Sequence, residues 1–406
     1  MAIISDDSST VQLYPGLPDD GIWRHWRSWS HAVTDAPTAF LSVAGLVAVA
    51  TALGRRAYIP QGDRRIYANI WAMLMAASGT ARKSSVCSTV TSVLNAAKIT
   101  KLLLPQTVSP ETLHEILSTT NEGLFSWPEY SAVSKAWGKN RNSEMSNILT
   151  DFFDSPPERV KVRKAPVTTQ SGKEVNVPTK YKVLYPVISV IAGSTAEYIN
   201  ASADDIWGGY WARWLFVPAK RDRPADPWPV GCPVPDAIAS VLAALANSEP
   251  AVVDMPRAGG AWDAYLQIFH EGVEAAEAGG PAEGVQSRLG VTCVKLAMIL
   301  EAGATGKVPT TLSTEMLTHA ADITRWHAKS HERWLGQVDR EERTRDKVLA
   351  YMRDRSGGQP TSVRMVYRAL HLNADTVRDA IHELHLEGLV AKCMSGDVYV
   401  YCQTPA

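Results

Sequence analysis

The stretch that most constrains the fold runs from Ile70 to Ser85. Ile70-Trp71-Ala72-Met73-Leu74-Met75 reads as a buried strand, and the small residues from Ala76 onward read as a tight turn. Lys83-Ser84-Ser85 then leads into a helix expected over Val86 to Ala97. Strand, turn and Lys-Ser at a helix start is the layout of a phosphate-binding loop, whose backbone N–H groups and helix N-terminus face the phosphates. On that reading Ser78, Gly79, Thr80, Ala81, Arg82, Lys83, Ser84 and Ser85 hold a nucleotide. Lys83 reaches the β- and γ-phosphates, and the Ser84 hydroxyl is the metal ligand for Mg²⁺. The pattern departs from G-x-x-x-x-G-K-S/T twice: Ala77 stands for the first Gly, and Arg82 for the Gly before the Lys. The alternative is an ordinary small-residue turn between strand and helix.

A chain of 406 residues is long enough for two or three domains and a sizeable core. Lys and Arg number 41 against 42 Asp and Glu, so the chain is no polycation, and any nucleic-acid contact must come from local patches. The cysteines, Cys87, Cys232, Cys293, Cys393 and Cys402, form no C-x-x-C pair and suggest neither a zinc knuckle nor a disulfide framework. The polar, acidic N-terminus does not read as a signal peptide. The most apolar run, Ala39 to Leu53, is short for a membrane span and reads as a buried helix. A soluble, cytoplasmic protein with no membrane partner is expected.

Before the loop, Trp23, Trp26 and Trp29 at i, i+3 spacing mark a helix with one buried stripe. Asp35-Ala36-Pro37 begins a second helix that ends on Gly54, and two short strands follow around Gln61-Gly62-Asp63. After the loop helix, Leu102-Leu103-Leu104 is a candidate strand and Ser109-Pro110-Glu111 starts another helix. Glu122 to Tyr130 reads as a buried strand ending in Glu129, placed as the base that orients an attacking water. Pro128 occupies the position where a metal-organising Asp would stand. Otherwise Glu129 is a surface loop acid.

Arg159 to Val183 reads as a long hairpin with alternating valines and a basic side-chain set that includes Arg159, Lys161, Arg163, Lys164 and Lys173. Such a ribbon either tracks a phosphate backbone or is a solvated hairpin made Lys-rich against edge pairing. Val187 to Thr195 is a strong strand ending in the hydroxyls of Ser194 and Thr195, placed to sense a γ-phosphate. Gly208-Gly209 and then Arg213 precede a further apolar strand. Arg213 either stabilises phosphoryl charge, in its own subunit or the next, or serves as a structural ion-pair partner.

A proline-rich linker (Lys220 to Pro235) leads to four expected helices: Asp236–Asn247, Gly260–Ala278, Glu283–Gly303 and Ser313–Gln337. Arg288 and Lys295 on the third either face nucleotide or are solvated. From Glu341 on, three helical patterns and a hairpin around Ser395-Gly396-Asp397 give a winged-helix pattern, with Arg378 outward on the third helix. That module either contacts DNA or packs against protein. The expected domains are an N-terminal helical region (1–60), an α/β nucleotide-binding core (61–222), a helical subdomain (223–340) and a winged helix (341–406).

The order of these pieces resembles a family of P-loop ATPase and helicase-like domains of unknown function. They occur in replication proteins of phages, plasmids and other mobile elements, often beside primase modules. The resemblance covers about residues 20 to 335. It is carried by Asp35-Ala36-Pro37, Tyr67-Ala68-Asn69, Ser78 to Ser84, Ser109-Pro110-Glu111, Glu129, Gly208-Gly209 with Arg213, and Ser287-Arg288 to Lys295-Leu296-Ala297. It implies an α/β RecA/AAA-like core with ATP and Mg²⁺, and a replicative helicase-type motor on DNA working as a homo-oligomeric ring. Catalysis would fall to Lys83, Glu129 and Arg213. A rival reading is a nucleotide-gated DNA-binding or loader scaffold with weak or no hydrolysis, in keeping with Arg82 and Pro128.

Overall fold

The computed structural model describes residues 14–79, 81–137, 139–168, 174–195, 199, 209–255, 257–280, 282–356, 360–393 and 397–402, with the backbone alone at 139–143, 163–168, 174–177, 337–343 and 354–356. They divide into two compact units, Leu13–Glu332 and a second that begins at Arg333.

Helix α1 (Ile22–Val33) turns Trp23, Trp26 and Trp29 inward, as their spacing requires. Helix α2 (Thr38–Leu53) has no polar face, and 15 of its 16 residues are buried. It is the one helix among the described residues long and apolar enough to cross a membrane, yet 89% of that window lies inside the protein. A helix apolar on every side is stable in water only as the centre of a core. Helix α2 packs on the elements that follow it, and the compact unit Leu13–Glu332 runs across the boundary expected near residue 60.

Strands β1 (Ala57–Gln61) and β2 (Arg64–Tyr67) pair antiparallel in a small separate sheet. Next come β3 (Trp71–Met75), α3 (Lys83–Ala96), α4 (Pro110–Thr120), β4 (Glu122–Trp127), α5 (Tyr130–Trp137) and α6 (Lys139–Phe153). An antiparallel ribbon of β5 (Arg159–Thr168) and β6 (Glu174–Val183) follows, then β7 (Val187–Ser194) and β8 (Trp214–Pro218). The central sheet is β4-β7-β3-β8, parallel throughout, with Trp71 opposite Val190 and Trp214, and Met75 opposite Ser194 and Pro218. Every residue of β3 and β7 is buried, as a parallel sheet covered on both faces demands. Ala72 and Leu74 share the core with α2 and α3. Trp71, alternating with them, meets Phe153, Tyr210 and Trp214 instead. This α/β order is compatible with a RecA-like core. Leu102–Leu104 does not form a strand: only Leu103 bridges Leu124, because the segment has just left a 3-10 turn at Thr100–Leu102.

The helical part begins with α7 (Asp236–Asn247), and β9 (Ala251–Val252) then returns to β1. Helix α8 (Gly260–Glu277) comes next. The single helix expected over Glu283–Gly303 is two, α9 (Glu283–Gln286) and α10 (Leu289–Thr305), interrupted at Ser287-Arg288. The helix expected to stop at Gln337 instead continues as α11 (Thr314–Ser356), 43 residues with no break at the expected boundary of 340.

In the second unit β10 (Thr361–Ser362), α12 (Val363–Leu370), α13 (Ala374–Leu386), β11 (Val390–Lys392) and β12 (Val398–Tyr401) follow α11. Ser362 and Asn373 cap the two short helices, accepting from Met365 N and Asp375 N. Val348 and Met352 of α11 join Val366, Ile381, Leu384 and Val390 in one core, and the sheet order is β10-β12-β11.

Candidate functional site

Chain direction across the central sheet locates the candidate site. From β3 the chain crosses to β4, returns through β7 beside β3, and then places β8 on the other flank of β3. In an open parallel sheet the crevice outside the carboxyl ends of such strands is where ligands bind. The loop from Ala76 to Arg82 lies there, tied at its base by Ala76 N donating to Ser194 O of β7 (3.3 Å). Gly79 has φ +76°, a conformation that suits glycine. Arg82 also lies in the left-handed region, at φ 50° and ψ 32°.

Arg82 holds that conformation through its side chain. Its Nε donates to Asp35 Oδ1 at 3.0 Å and its guanidinium to Asp226 O at 3.0 Å. Asp35 is buried and also accepts the Asp226 N–H at 3.1 Å, with Arg221 at 3.4 Å. Burial alone would raise the Asp35 carboxyl; the Asp226 amide, Arg82 and Arg221 outweigh it and hold the group below the ordinary carboxylate range. Asp35 and Asp226 thus frame the loop, a role the sequence pattern at Asp35-Ala36-Pro37 did not disclose.

Lys83 is the first residue of α3, and its Nζ bonds Ala76 O at 2.5 Å and Ala77 O at 3.2 Å, across the mouth of the loop. Burial lowers the pKa of this ammonium, and the Glu129 carboxylate acts on it in the opposite sense. Glu129 is exposed and follows β4 directly. Gly193 of β7 closes the arrangement, for a Cβ there would lie 2.6 Å from Pro128 O and 3.1 Å from the Lys83 Cβ. Ser194 Oγ donates to Thr195 O at 3.0 Å. Thr195 Oγ1 is buried with no hydrogen-bond partner among the described residues. The ends of β4 and β7 and the start of α3 therefore bring Lys83, Glu129, Ser194 and Thr195 to one edge, with Ser78, Gly79, Ser84 and Ser85 exposed beside them and Ala81 buried. Thr80 lies outside the described residues. A helix start, an ammonium and an unsatisfied hydroxyl can hold an anion. Among the described residues no group of three His, Cys, Asp or Glu side chains could hold a metal.

Arg213 and Arg288 do not join this group. Arg213 precedes Trp214, which pairs with Trp71 at the start of β3, so it stands at the opposite edge of the sheet. Five residues at roughly 3.3 Å each put about 16 Å of strand between it and the loop. Its guanidinium bonds Gly209 O at 2.7 Å and Asp154 at 2.5 Å, and Arg288 meets Asp154 at 3.3 Å. Burial would raise the Asp154 carboxyl, but Arg288 and Arg213 hold it below its usual range. Lys295, expected to be exposed or to face nucleotide, is fully buried nearby. It donates to Asn69 Oδ1 at 2.8 Å and lies 3.8 Å from the Phe153 ring centroid. Desolvation brings its pKa down to about 7.

The ribbon carries less free charge than its sequence suggests. Arg159 pairs with Asp151 at 2.9 Å, Lys161 with Glu144 at 3.4 Å and Lys182 with Glu158 at 2.6 Å. Along β5 the alternation turns valine outward: Val160 and Val162 are 50% and 56% exposed, while Lys161 between them is half-buried. Helix α4 packs against the ribbon but leaves Val160 and Val162 uncovered. The side chains of Arg163 and Lys164, and all of Lys173, lie outside the described residues. Arg378 on α13 pairs with Asp375 one turn away at 2.5 Å.

No family model matches the chain, and no curated protein matches it.

Proposed function

We propose that the chain is a P-loop ATPase that works on nucleic acid as a homo-oligomer in the cytoplasm, with a winged helix as its C-terminal unit. The observation that carries this reading is the convergence of Lys83, Glu129, Ser194 and Thr195 on the loop edge, around a buried Thr195 hydroxyl with no partner among the described residues. Lys83 and the amides of the loop and of the first turn of α3 bind the phosphates of ATP. Lys83 exchanges its bonds to Ala76 O and Ala77 O for phosphate oxygens. Mg²⁺ takes most of its ligands from phosphate and water, so Ser84 suffices as the protein's own oxygen, and the ion supplies charge neutralisation when bound. Glu129 orients water toward the terminal phosphate, and Thr195 donates to it. Arg213 is not assigned to catalysis within its own subunit, because it stands at the other edge of the sheet. The basic ribbon supplies contacts to a DNA backbone.

Calorimetry with ATP and a turnover assay with and without single-stranded DNA test this reading. Lys83→Ala is expected to lose measurable ATP binding with the fold retained, and Glu129→Gln to bind ATP but to slow hydrolysis at least a hundredfold. Unchanged ATP affinity in Lys83→Ala would sink the assignment. A second reading, a nucleotide-gated scaffold on DNA without turnover, is favoured by Pro128 in the place of an acid and by Arg82 locking the loop. Nucleotide binding with no hydrolysis on any nucleic acid would select it.

A further inference from the structure

At the edge of the central sheet opposite the loop, Arg55, Arg56, Tyr58, Arg65, Tyr67 and Glu122 line a cavity of about 340 Å³. Glu122 opens the six-residue β4, whose other end leads to Glu129, so this cavity is separated from the loop by the length of a strand. The guanidinium groups differ in how they are satisfied. Arg56 ion-pairs with Glu122, which also accepts the Arg55 N–H at 3.0 Å. Gly54 permits that pair, since a Cβ at position 54 would fall 2.3 Å from Glu122 Oε2, and its φ of +45° suits glycine as well. Glu122 is thereby committed to Arg56 and the backbone. Among the described residues no carboxylate pairs with Arg55 or Arg65, and Arg55 Nε is buried without a hydrogen-bond partner. Arg65 lies against two aromatic rings, its Cζ 4.6 Å from the Tyr58 centroid and 4.3 Å from that of Tyr185, with one contact to Tyr67 Oη at 3.4 Å. Stacking covers the faces of a guanidinium and leaves its N–H edge to donate.

A concave site with two guanidinium groups that no carboxylate among the described residues neutralises, one of them held against two aromatic rings, is complementary to a tetrahedral oxyanion that accepts from both forks. We propose that this cavity binds a phosphoryl group, with Arg55 and Arg65 as its donors. The volume exceeds that of phosphate alone and leaves room for an attached sugar. Two sources present that chemistry: a phosphodiester of a nucleic-acid strand, or a free phosphate monoester. The inference does not depend on the loop reading.

The test is made in full-length Lys83→Ala protein, so that the loop contributes nothing. A labelled oligothymidylate, thymidine 5′-monophosphate and inorganic phosphate are the probes, and Arg55→Gln and Arg65→Gln the variants. If a strand is the source, each variant weakens oligothymidylate binding about tenfold and lowers the salt slope by about one, leaving the small phosphates without detectable binding. If a free monoester is the source, thymidine 5′-monophosphate binding falls about tenfold and that of the oligomer is unmoved. The proposal is overturned if neither variant changes any probe's affinity, or if no probe binds the parent protein. Should a Gln variant unfold, Arg65→Lys serves instead. It keeps the charge but not the planar fork, and a bound phosphate is then expected to be lost several-fold, whereas unchanged affinity again overturns the proposal. ATP binding by the wild type is read separately, so a silent loop and a silent cavity are distinct results.

Discussion

Arg82 carries two opposing effects in one residue. Its left-handed backbone costs an L-residue about 1–2 kcal/mol, whereas the buried Asp35 offsets that through a charged hydrogen bond. Arg82→Gly removes both the cost and the bond; Arg82→Ala removes only the bond. The glycine variant is therefore expected to be more stable than the alanine variant by about 1 kcal/mol in denaturant unfolding. Equal stabilities would show that backbone conformation is not what Arg82 contributes. A sequence in which Arg stands where the loop pattern has Gly shows the departure but not its remedy, because Asp35 lies 47 residues away and no local spacing links them. Glu129, Ser194 and Thr195 were legible because each directly follows or ends an apolar strand. Arg213 precedes one. In a parallel sheet residues before and after strands lie at opposite edges, so strand direction alone separates Arg213 from the loop.

At the scale of elements, the ribbon's alternation was legible but its orientation was not, since Glu144 and Asp151, which draw Lys161 and Arg159 toward α6, belong to a different pattern. That pairing has a measurable consequence if the ribbon meets DNA. Lys180 is exposed, and Lys180→Gln should reduce the slope of log affinity against log salt by about one. Arg159→Gln should reduce it by less, because Asp151 already shares that charge. The opposite ranking would mean that the ion pairs open on binding. Helices α9 and α10 read as one in the sequence because apolar spacing continues across Ser287-Arg288; the interruption is set by Arg288 and its partner Asp154, a tertiary contact. The reverse holds for α11, where the change of character expected at Glu341 falls near the division between the two compact units, yet the helix runs on through it.

For the molecule as a whole, buried ionisable groups set an asymmetric dependence of stability on pH. His327 and His331 are neutral inside the first unit, with burial lowering them to about 4 and about 3. The unfolded chain takes up protons at these sites below about pH 6.5, so stability falls from there downward. Lys295, at about 7, is the alkaline counterpart. Between about pH 7 and about 10.4 the unfolded state holds a proton at Lys295 that the folded state has released, so stability should rise across that window. Lys295→Met should abolish the rise, as followed by urea midpoints from neutral to alkaline pH. A wild-type midpoint that does not rise over this range would mean that Lys295 stays charged in place. Assembly is checked by assaying Arg213→Ala protein alone and after mixing with inactive Lys83→Ala subunits. With Arg213 committed to Asp154, folded Arg213→Ala protein is expected to keep its own activity and mixing to add nothing; an inactive Arg213→Ala protein that recovers activity on mixing would instead assign Arg213 to a neighbour's phosphate.

The all-round apolar character of α2 also bears on how the chain is made. Its cover arrives in instalments: α1 precedes it, α3 follows soon after, and α7 and α10 also pack on it. Helix α10 emerges from the ribosome roughly 240 residues after α2 does, about 10–50 seconds at ordinary synthesis rates. For that interval the growing polypeptide displays a segment that chaperones bind and that resembles a membrane anchor in composition. Shortening the wait, for instance by circular permutation that makes α10 before α2, should raise the soluble yield more than it raises the equilibrium stability.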